Sequence, residues 1–339
     1  MLVLDKQKLF AAVITTINNP NDGMNALLDF GKAAGAPVIV VGDTKTPDSW
    51  ENTDFEYLSI ATQKDLYGSF SDLIPTRHYA RKNLGYLKAR SHEVEWIYET
   101  DDDNVPTLSP FENRTLNLDA QIFGSESSWL NVYEVFGYTS KQEVPSLIWP
   151  RGFDLRSVKH VTTKLESKLV TAPIQQGLAN GDPDVDAIYR LVLGNFVDFN
   201  ESKPVALAKA QICPTNSQTT WWHASIHQLM YLPSTCTFRL TDILRGFVAW
   251  RILQDRNETV SFHSPIVRQD RNEHDLLKDF GDEMELYLHS DNLISDLLKL
   301  DLAQLSTSQQ LIACYEVFVN RGVVSEFEIE LIRGWNSHF

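Results

Sequence analysis

The sequence predicts an α/β fold in which a Rossmann-type mixed sheet is followed by a helical C-terminal part. Apolar strand-like runs alternate with helical patterns through the first hundred residues, which is typical of a mostly parallel sheet. One run, VEWIYE, passes almost directly into the aspartates Asp101, Asp102 and Asp103. Most of the last hundred residues show helical periodicity. These observations place the sheet first and the helices last.

The individual elements follow from the apolar runs and the residues that bound them. Asp22 can cap a helix after the turn NNPND, and Pro106 stops the strand that leads into the aspartates. Residues 107–240 are less regular and rich in Trp, Pro, Asn and Gln, and loops of that length are usually functional. We expect strands over residues 10–17, 37–41, 56–60 and 94–100, and helices over 22–34, 77–90, 241–254, 273–288, 293–300, 308–319 and 325–332.

Charge and cysteine content limit the classes of partner. The chain has 45 acidic and 30 basic side chains, a formal charge of −15, which opposes contact with nucleic acid. An anionic ligand would need a local basic cluster or a divalent cation. The cysteines have no metal-type spacing, and no segment approaches the ~20 apolar residues of a membrane span, so we expect a cytoplasmic protein with no more than peripheral membrane contact. The cysteines are Cys213, Cys236 and Cys314.

The three successive aspartates are the strongest candidate site. Ligands of open α/β sheets bind at the carboxyl ends of the strands, where this turn is expected. Adjacent carboxylates repel one another unless a cation compensates, and hard oxygen ligands suit Mg²⁺ or Mn²⁺. A solvated acidic turn with a helix cap is the alternative interpretation.

Basic and acidic side chains near this turn supply further candidates. Arg81 and Lys82, on the basic side of the helix expected at 77–90, could contact a diphosphate or the acidic turn. Asp43 and Lys45 lie in the loop after the second strand, where Asp43 could bind a base or ribose or could simply order the turn.

Later aspartates allow structural as well as catalytic roles. In GDPDVDAIYRL, Asp182 is expected to cap a helix and Asp184 to lie in its first turn, which leaves Asp186 without a structural role. Asp242 and Arg245 are one helical turn apart and could form an ion pair. Asp242 could otherwise act as a general base.

Several segments resemble the STELLO family of glycosyltransferases and, more distantly, the reversibly glycosylated polypeptides that act as UDP-arabinopyranose mutases. The resemblance extends over residues 40–280 in one order. It implies a GT-A fold with a nucleotide-sugar-binding half (1–110), an acceptor half (111–290) and a helical extension (291–339). The segments are VVGDTKTP, RKNLGYLKA, YETDDDN, WPRGF, QQGLANGDPDVDAIYRL, NSQTT, RLTDILRGF and RQDRNEHDLLKDF.

The resemblance also implies roles for particular residues. Asp101 and Asp103 resemble the DxD element that meets ribose and a metal-bridged diphosphate. Arg151 in WPRGF resembles the arginine that is glycosylated in the mutases, and Asp242 resembles the acidic residue near the acceptor hydroxyl. His274, with His263 behind it, is the candidate third metal ligand.

The expected function is metal-dependent transfer of a sugar from a nucleoside diphosphate donor, of the UDP type, to a hydroxyl of a glycan or lipid-linked saccharide. A nucleotide-sugar mutase and a non-catalytic scaffold are the alternatives, and a homo-oligomer is left open. STELLO proteins of plants resemble Golgi membrane proteins with an anchor and a further domain; neither is expected in these residues.

Overall fold

Strands and helices alternate through the first hundred residues, as the sequence predicts. The structure is a computed structural model that describes residues 9–112, 114–140, 147–194, 196–269 and 275–339. Its strands are β1 (Phe10–Thr15), β2 (Val38–Val41), β3 (Glu56–Leu58), β4 (Trp96–Thr100), β5 (Asn104–Pro106), β6 (Asn117–Ser125), β7 (Tyr138–Ser140), β8 (Thr162–Thr171), β9 (Ile174–Gly181), β10 (Val197–Phe199), β11 (Val205–Leu207), β12 (Thr219–His223) and β13 (Val260–Gln269). Its α-helices are α1 (Asp22–Ala34), α2 (Ile60–Leu73), α3 (Lys82–Arg90), α4 (Val132–Phe136), α5 (Ala187–Val192), α6 (Thr241–Asp255), α7 (Leu276–Asp282), α8 (Met284–Leu298), α9 (Thr307–Asn320) and α10 (Phe327–Asn336).

The described strands form one mixed sheet, in the main-path order β3-β2-β1-β4-β12-β9-β13-β11-β6-β8. Strands β3, β2, β1 and β4 are parallel neighbours. In β1, Ala11 and Val13 face the core that includes α3, whereas Phe10, Ala12 and Ile14 face the core that includes α1. A strand buried on both faces is a continuous apolar run, which is why it is visible in the sequence. The mixed sheet and the C-terminal helices confirm the predicted fold class and are consistent with a GT-A-like fold.

The cap of α1 differs by one residue from the expectation. Asn21, not Asp22, is the N-cap, and its side-chain oxygen accepts a hydrogen bond from the backbone N–H of Met24 at 2.9 Å. Asp22 is the first helical residue, where its charge favours the positive end of the helix.

The middle of the chain is more regular than predicted, because β6, β8, β9 and β12 extend the sheet there. Strand β12 pairs antiparallel with both β4 and β9. These strands lack a clear apolar pattern in the sequence because they contain buried polar residues. In β9, buried Gln175 donates to the Ala172 carbonyl at 3.2 Å, and buried Gln176 accepts from the Asn216 N–H at 3.0 Å. Amides satisfied by the backbone are tolerated in a sheet interior, so an apolar pattern is not required.

The C-terminal region is helical, with one strand that the sequence did not predict. Strand β13 lies parallel to β9 in the centre of the sheet. The helix expected at 273–288 is divided between α7 and α8, and α8 continues into the segment expected as a separate helix at 293–300. The domain boundary expected at residue 290 falls within α8 and stays a prediction. None of the helices in the described ranges is long and apolar enough to cross a membrane.

His227 provides a pH-dependent contribution to the stability of this fold. It is 4% exposed, its Nε2 lies 3.0 Å from the carbonyl oxygen of Trp222, and burial lowers its pKa to about 4. Between pH 6.5 and 4 the unfolded chain therefore binds a proton that the folded chain does not, so this contribution to stability is lost as the pH falls.

We expect His227→Gln, which cannot titrate, to lack this acid dependence. The difference in free energy of unfolding between wild type and variant should fall by up to roughly 3 kcal/mol from pH 7 to pH 4. Urea denaturation of both proteins across that range measures it. Parallel pH profiles would contradict the assignment.

Candidate functional site

The carboxyl ends of β1, β2 and β4 open into one cavity of about 400 Å³. Parallel strands bring their carboxyl ends to the same edge of a sheet, which is where open α/β folds bind ligands. The cavity is lined by Thr15, Thr16, Ile17, Asn18, Asp43, Lys45, Arg77, His78, Tyr79, Asp101, Asp102, Asp103, Arg151, Asp184, Asn216, Ser217, Gln218, Phe238, Arg239, Thr241, Asp242 and Gln269.

Asp101 is the most closely held of the three aspartates. Its Oδ1 accepts a hydrogen bond from the Tyr79 hydroxyl at 2.6 Å and lies 3.2 Å from Lys82 Nζ. Desolvation raises the pKa of Asp101 to about 6, and the negative charge of Asp103 adds to this effect, whereas Lys82 opposes it. Asp101 and Asp103 are therefore close enough to repel each other.

Asp102 holds the turn in shape. Its Oδ2 accepts from the Thr16 hydroxyl at 2.5 Å and from Asn18 Nδ2 at 2.9 Å. Asn21 Nδ2 donates to the Asp102 carbonyl at 2.7 Å. These contacts fix the acidic turn against the loop that follows β1.

Asp103 faces the far side of the cavity, where its Oδ2 accepts from Gln269 Nε2 at 3.1 Å. In the parts of the chain that the structure describes, no group of three or more His, Cys, Asp and Glu side chains is placed to hold a metal ion. The candidate third ligand His274 lies outside the described residues. His263 does not line the cavity; its Nε2 lies 3.0 Å from the Ser261 hydroxyl, and burial lowers its pKa well below the usual value.

Arg81 and Lys82 are both buried, so the expected exposed basic side of the helix is wrong for these residues, whereas the contact of Lys82 with the acidic turn is one of the expected alternatives. Arg81 is 2% exposed and donates to Gln63 Oε1 at 2.8 Å and to the Ile74 carbonyl at 3.0 Å, away from the cavity lining. Lys82 is fully buried and donates to the Thr100 carbonyl at 2.7 Å as well as contacting Asp101. Lys82 thus supports the acidic turn from beneath, whereas Arg81 ties together the surrounding backbone.

Asp43 and Lys45 both line the cavity, as the sequence suggests. The Asp43 carboxylate is already engaged, because it accepts from the backbone N–H groups of Thr44 at 2.6 Å and His78 at 3.1 Å. Its role is therefore to order the loops after β2 and before α3. Lys45 is exposed.

Arg151 also lines the cavity and lies between two carboxylates. Its guanidinium donates to Asp184 at 2.9 and 2.8 Å, to Asp242 at 3.1 and 3.0 Å, and to the carbonyl of Arg239. These contacts use all five of its N–H donors. The neighbouring carboxylates raise the pKa of Arg151 well above the usual value against the opposing effect of burial. Such an arginine is suited to positioning carboxylates.

Asp242 therefore pairs with Arg151 rather than with Arg245, and the expected ion pair within α6 is wrong. Its Oδ2 also accepts from the backbone N–H and the hydroxyl of Ser217, each at 3.2 Å. Arg245 instead forms a buried pair with Glu99, at 2.8 and 2.7 Å.

Asp186 has the helix-capping role that was expected of Asp182. It is the N-cap of α5, accepting from the Tyr189 N–H at 2.8 Å, and Trp149 Nε1 donates to it at 2.6 Å. Asp186 is 1% exposed and does not line the cavity. The structure therefore does not bring it together with Arg151 and Asp242, the other two predicted catalytic residues, which do line the cavity. Asp182 precedes the helix and pairs with Arg190 at 2.8 Å.

Sequence reasoning missed several cavity residues. Tyr79 is not among the predicted site residues, yet its hydroxyl contacts Asp101 and lies 2.6 Å from the Ser217 hydroxyl, which contacts Asp242. Arg77 has a left-handed backbone, with φ of 57°, an uncommon conformation that non-glycine residues often adopt at functional sites. Neither feature has a signal in spacing or periodicity.

Comparisons with known proteins find similarity to one family of glycosyltransferases. A family model described as STELLO glycosyltransferases matches residues 239–331. Of two similar proteins of Arabidopsis thaliana, “Probable glycosyltransferase STELLO2” is 26% identical over 366 residues, covering 98% of this chain and 46% of that protein. “Probable glycosyltransferase STELLO1” is 26% identical over 348 residues, covering 95% and 43%.

This chain is similar to the STELLO glycosyltransferases over nearly its whole length. The resemblance on the sequence motifs is thereby confirmed, and the chain spans less than half the length of the curated STELLO proteins that it matches. The STELLO family model includes Asp242 and Arg245 but begins after the acidic turn. The more distant resemblance to the mutases stays a prediction.

Proposed function

We propose that this chain is a metal-dependent glycosyltransferase that moves a sugar from a nucleoside diphosphate donor, of the UDP type, to a hydroxyl of a glycan or lipid-linked saccharide. The observation that carries the proposal is that the acidic turn after β4 and the Arg151–Asp242 pair line the same cavity. The STELLO relatives, which are named glycosyltransferases, support the same class of reaction.

The side chains at the turn fit a divalent cation. Asp101 and Asp103 present hard carboxylate oxygens to the cavity and repel each other, and Mg²⁺ typically uses one or two carboxylates with substrate phosphates and water. These two residues would hold Mn²⁺ or Mg²⁺, which would supply charge neutralisation for the leaving diphosphate.

The protein's own residues would position the reactants. Lys45, in the loop after β2, and Arg77, before α3, both line the cavity and would contact the anionic donor. Asp242 has protein hydrogen bonds on both carboxylate oxygens, so an acceptor hydroxyl would have to displace a partner before passing its proton. This arrangement supports a positioning role for Asp242 more than proton abstraction.

The mutase alternative is weakened by the state of Arg151. Glycosylation of a guanidinium nitrogen requires a free lone pair and access, whereas Arg151 is 5% exposed and fully hydrogen-bonded. Ring-form interconversion of the donor without an acceptor would nevertheless favour that alternative. Failure to bind any nucleotide in a calorimetric panel would favour the scaffold.

The test is donor hydrolysis and sugar transfer with Mn²⁺ present, measured for wild type and Asp103→Ala. We expect the variant to lose activity by about a hundredfold, since Asp103 would no longer hold the ion that neutralises the leaving group. Asp119→Ala is the matched control, because Asp119 is exposed on β6 and does not line the cavity. Undiminished activity in Asp103→Ala would overturn the proposal.

A further inference from the structure

The basic side chains that line the cavity differ in whether they are paired with carboxylates. Lys45 and Arg77 are both exposed at the end of the cavity formed after β2 and before α3, and neither forms an ion pair with any carboxylate in the described ranges. Arg77 has a left-handed backbone, with φ of 57°. These two residues can therefore offer full positive charges to a ligand.

A second part of the cavity lining, the wall formed by Phe238, Arg151, Arg239 and Asp242, has no such charge to offer among the residues that the structure describes. Arg151 lies between two carboxylates, Asp184 at 2.8 Å and Asp242 at 3.0 Å. Arg239 lies 2.6 Å from Glu283, which is fully buried. Both arginines of this wall are therefore already paired with carboxylates, so neither offers an anion an unpaired positive charge.

The same wall instead presents an aromatic ring. Phe238 lines the cavity and is 51% exposed, and its ring packs edge-on against Tyr79 with centroids 5.4 Å apart. A large aromatic side chain that is half exposed in a ligand cavity is suited to packing against an apolar ligand face, such as the C–H face of a sugar ring.

We propose that the cavity is divided by charge: Lys45 and Arg77 receive the anionic donor, and the wall of Phe238, Arg151 and Asp242 receives an uncharged saccharide acceptor. This inference rests on the proposed function and narrows its acceptor class, because it excludes a phosphate or uronate next to the accepting hydroxyl. A lipid-linked saccharide would qualify only if its phosphate lay away from this wall.

The first experiment compares acceptors. Using the UDP-sugar that the wild type hydrolyses fastest, transfer is measured to neutral di- and trisaccharides and to their matched uronate and 6-phosphate derivatives. We expect kcat/KM to be at least about tenfold higher for the neutral member of each pair, since the anionic member meets carboxylates and arginines that are already paired with them. The effect of each saccharide on the rate of donor hydrolysis is also measured. This detects a saccharide that binds in the cavity but does not receive the sugar.

The second experiment separates the two walls by substitution. Lys45→Gln and Arg77→Gln should each raise the KM for donor about tenfold, weaken its salt dependence and leave the KM for acceptor unchanged. Phe238→Ala should raise the KM for acceptor about tenfold and leave UDP binding, measured calorimetrically with Mn²⁺, unchanged. Matched controls are Lys209→Gln and Phe196→Ala, which change exposed residues outside the cavity lining.

The outcomes distinguish this inference from the function on which it rests. Equal or preferred use of the anionic saccharides, or acceptor effects from Lys45→Gln and Arg77→Gln, would overturn the division by charge while donor hydrolysis persists. Absence of both UDP binding and donor hydrolysis in the wild type would instead remove the proposed function. Effects of Lys209→Gln equal to those of Lys45→Gln would show that overall charge alone is responsible and would also overturn the division.

Discussion

Arg245→Ala should lower the free energy of unfolding by about 3–5 kcal/mol, since it leaves the Glu99 carboxylate buried without its cation. Glu99 is fully buried in β4, and Arg245 is 1% exposed in α6. The guanidinium also lies 4.7 Å from the ring centroid of Trp222. The remaining partners of Glu99, the Tyr86 hydroxyl and Trp222 Nε1, are uncharged and cannot replace the ion pair.

Two controls separate charge from packing in that experiment. Arg268→Ala removes a surface pair with Asp198, in which both side chains are about half exposed, and should cost no more than about 1 kcal/mol. The double variant Glu99→Gln with Arg245→Met should recover much of the loss, because no buried charge remains. Urea denaturation compares the proteins. A loss in Arg245→Ala no larger than that in Arg268→Ala would refute the expectation.

Arg151→Ala should cost a similar amount of stability at neutral pH, about 3–5 kcal/mol, and should abolish sugar transfer. Asp184 and Asp242 are 4% and 5% exposed, and the variant loses the arginine that donates hydrogen bonds to both carboxylates. The chain must then either separate them or bind a proton. Either change displaces the wall proposed to receive the acceptor.

The pH dependence of this second loss identifies its cause. Two buried carboxylates that have lost their shared arginine would favour a bound proton, which the unfolded chain already releases at about pH 4. The variant's stability should therefore fall as the pH rises, so the deficit should be smaller at pH 5 than at pH 7.5. Arg151→Lys keeps the charge with fewer hydrogen bonds and should be intermediate. Equal deficits at both pH values in Arg151→Ala would point to lost packing instead.

The predictable part of the fold is the part whose burial is uniform. Strands β1, β2 and β4 are buried on both faces, so they appear in the sequence as unbroken apolar runs. Strand β9 is equally buried but reads IQQGLANG, because Gln175 and Gln176 meet hydrogen-bonding partners from distant segments. Single-sequence patterns contain no record of such partners.

The candidate site could also be predicted only in part. Asp101, Asp103, Arg151 and Asp242 come together at the cavity, as expected from strand ends and from the family resemblance. Arg81 was expected on an exposed helix face because charged residues in a helical pattern usually face solvent. Its hydrogen bonds to Gln63 and to the Ile74 carbonyl bury it instead. Pairs such as Glu99 with Arg245, which are 146 residues apart, are likewise beyond any local pattern.

The complete burial of Lys82 beneath the acidic turn determines where its charge can act. Its ammonium group lies 3.2 Å from Asp101 and donates to the Thr100 carbonyl, and Arg245 already offsets Glu99 in the layer below. A cation in this position stabilises the turn but does not line the cavity. An anion bound in the cavity would therefore have to meet its positive charge in other groups.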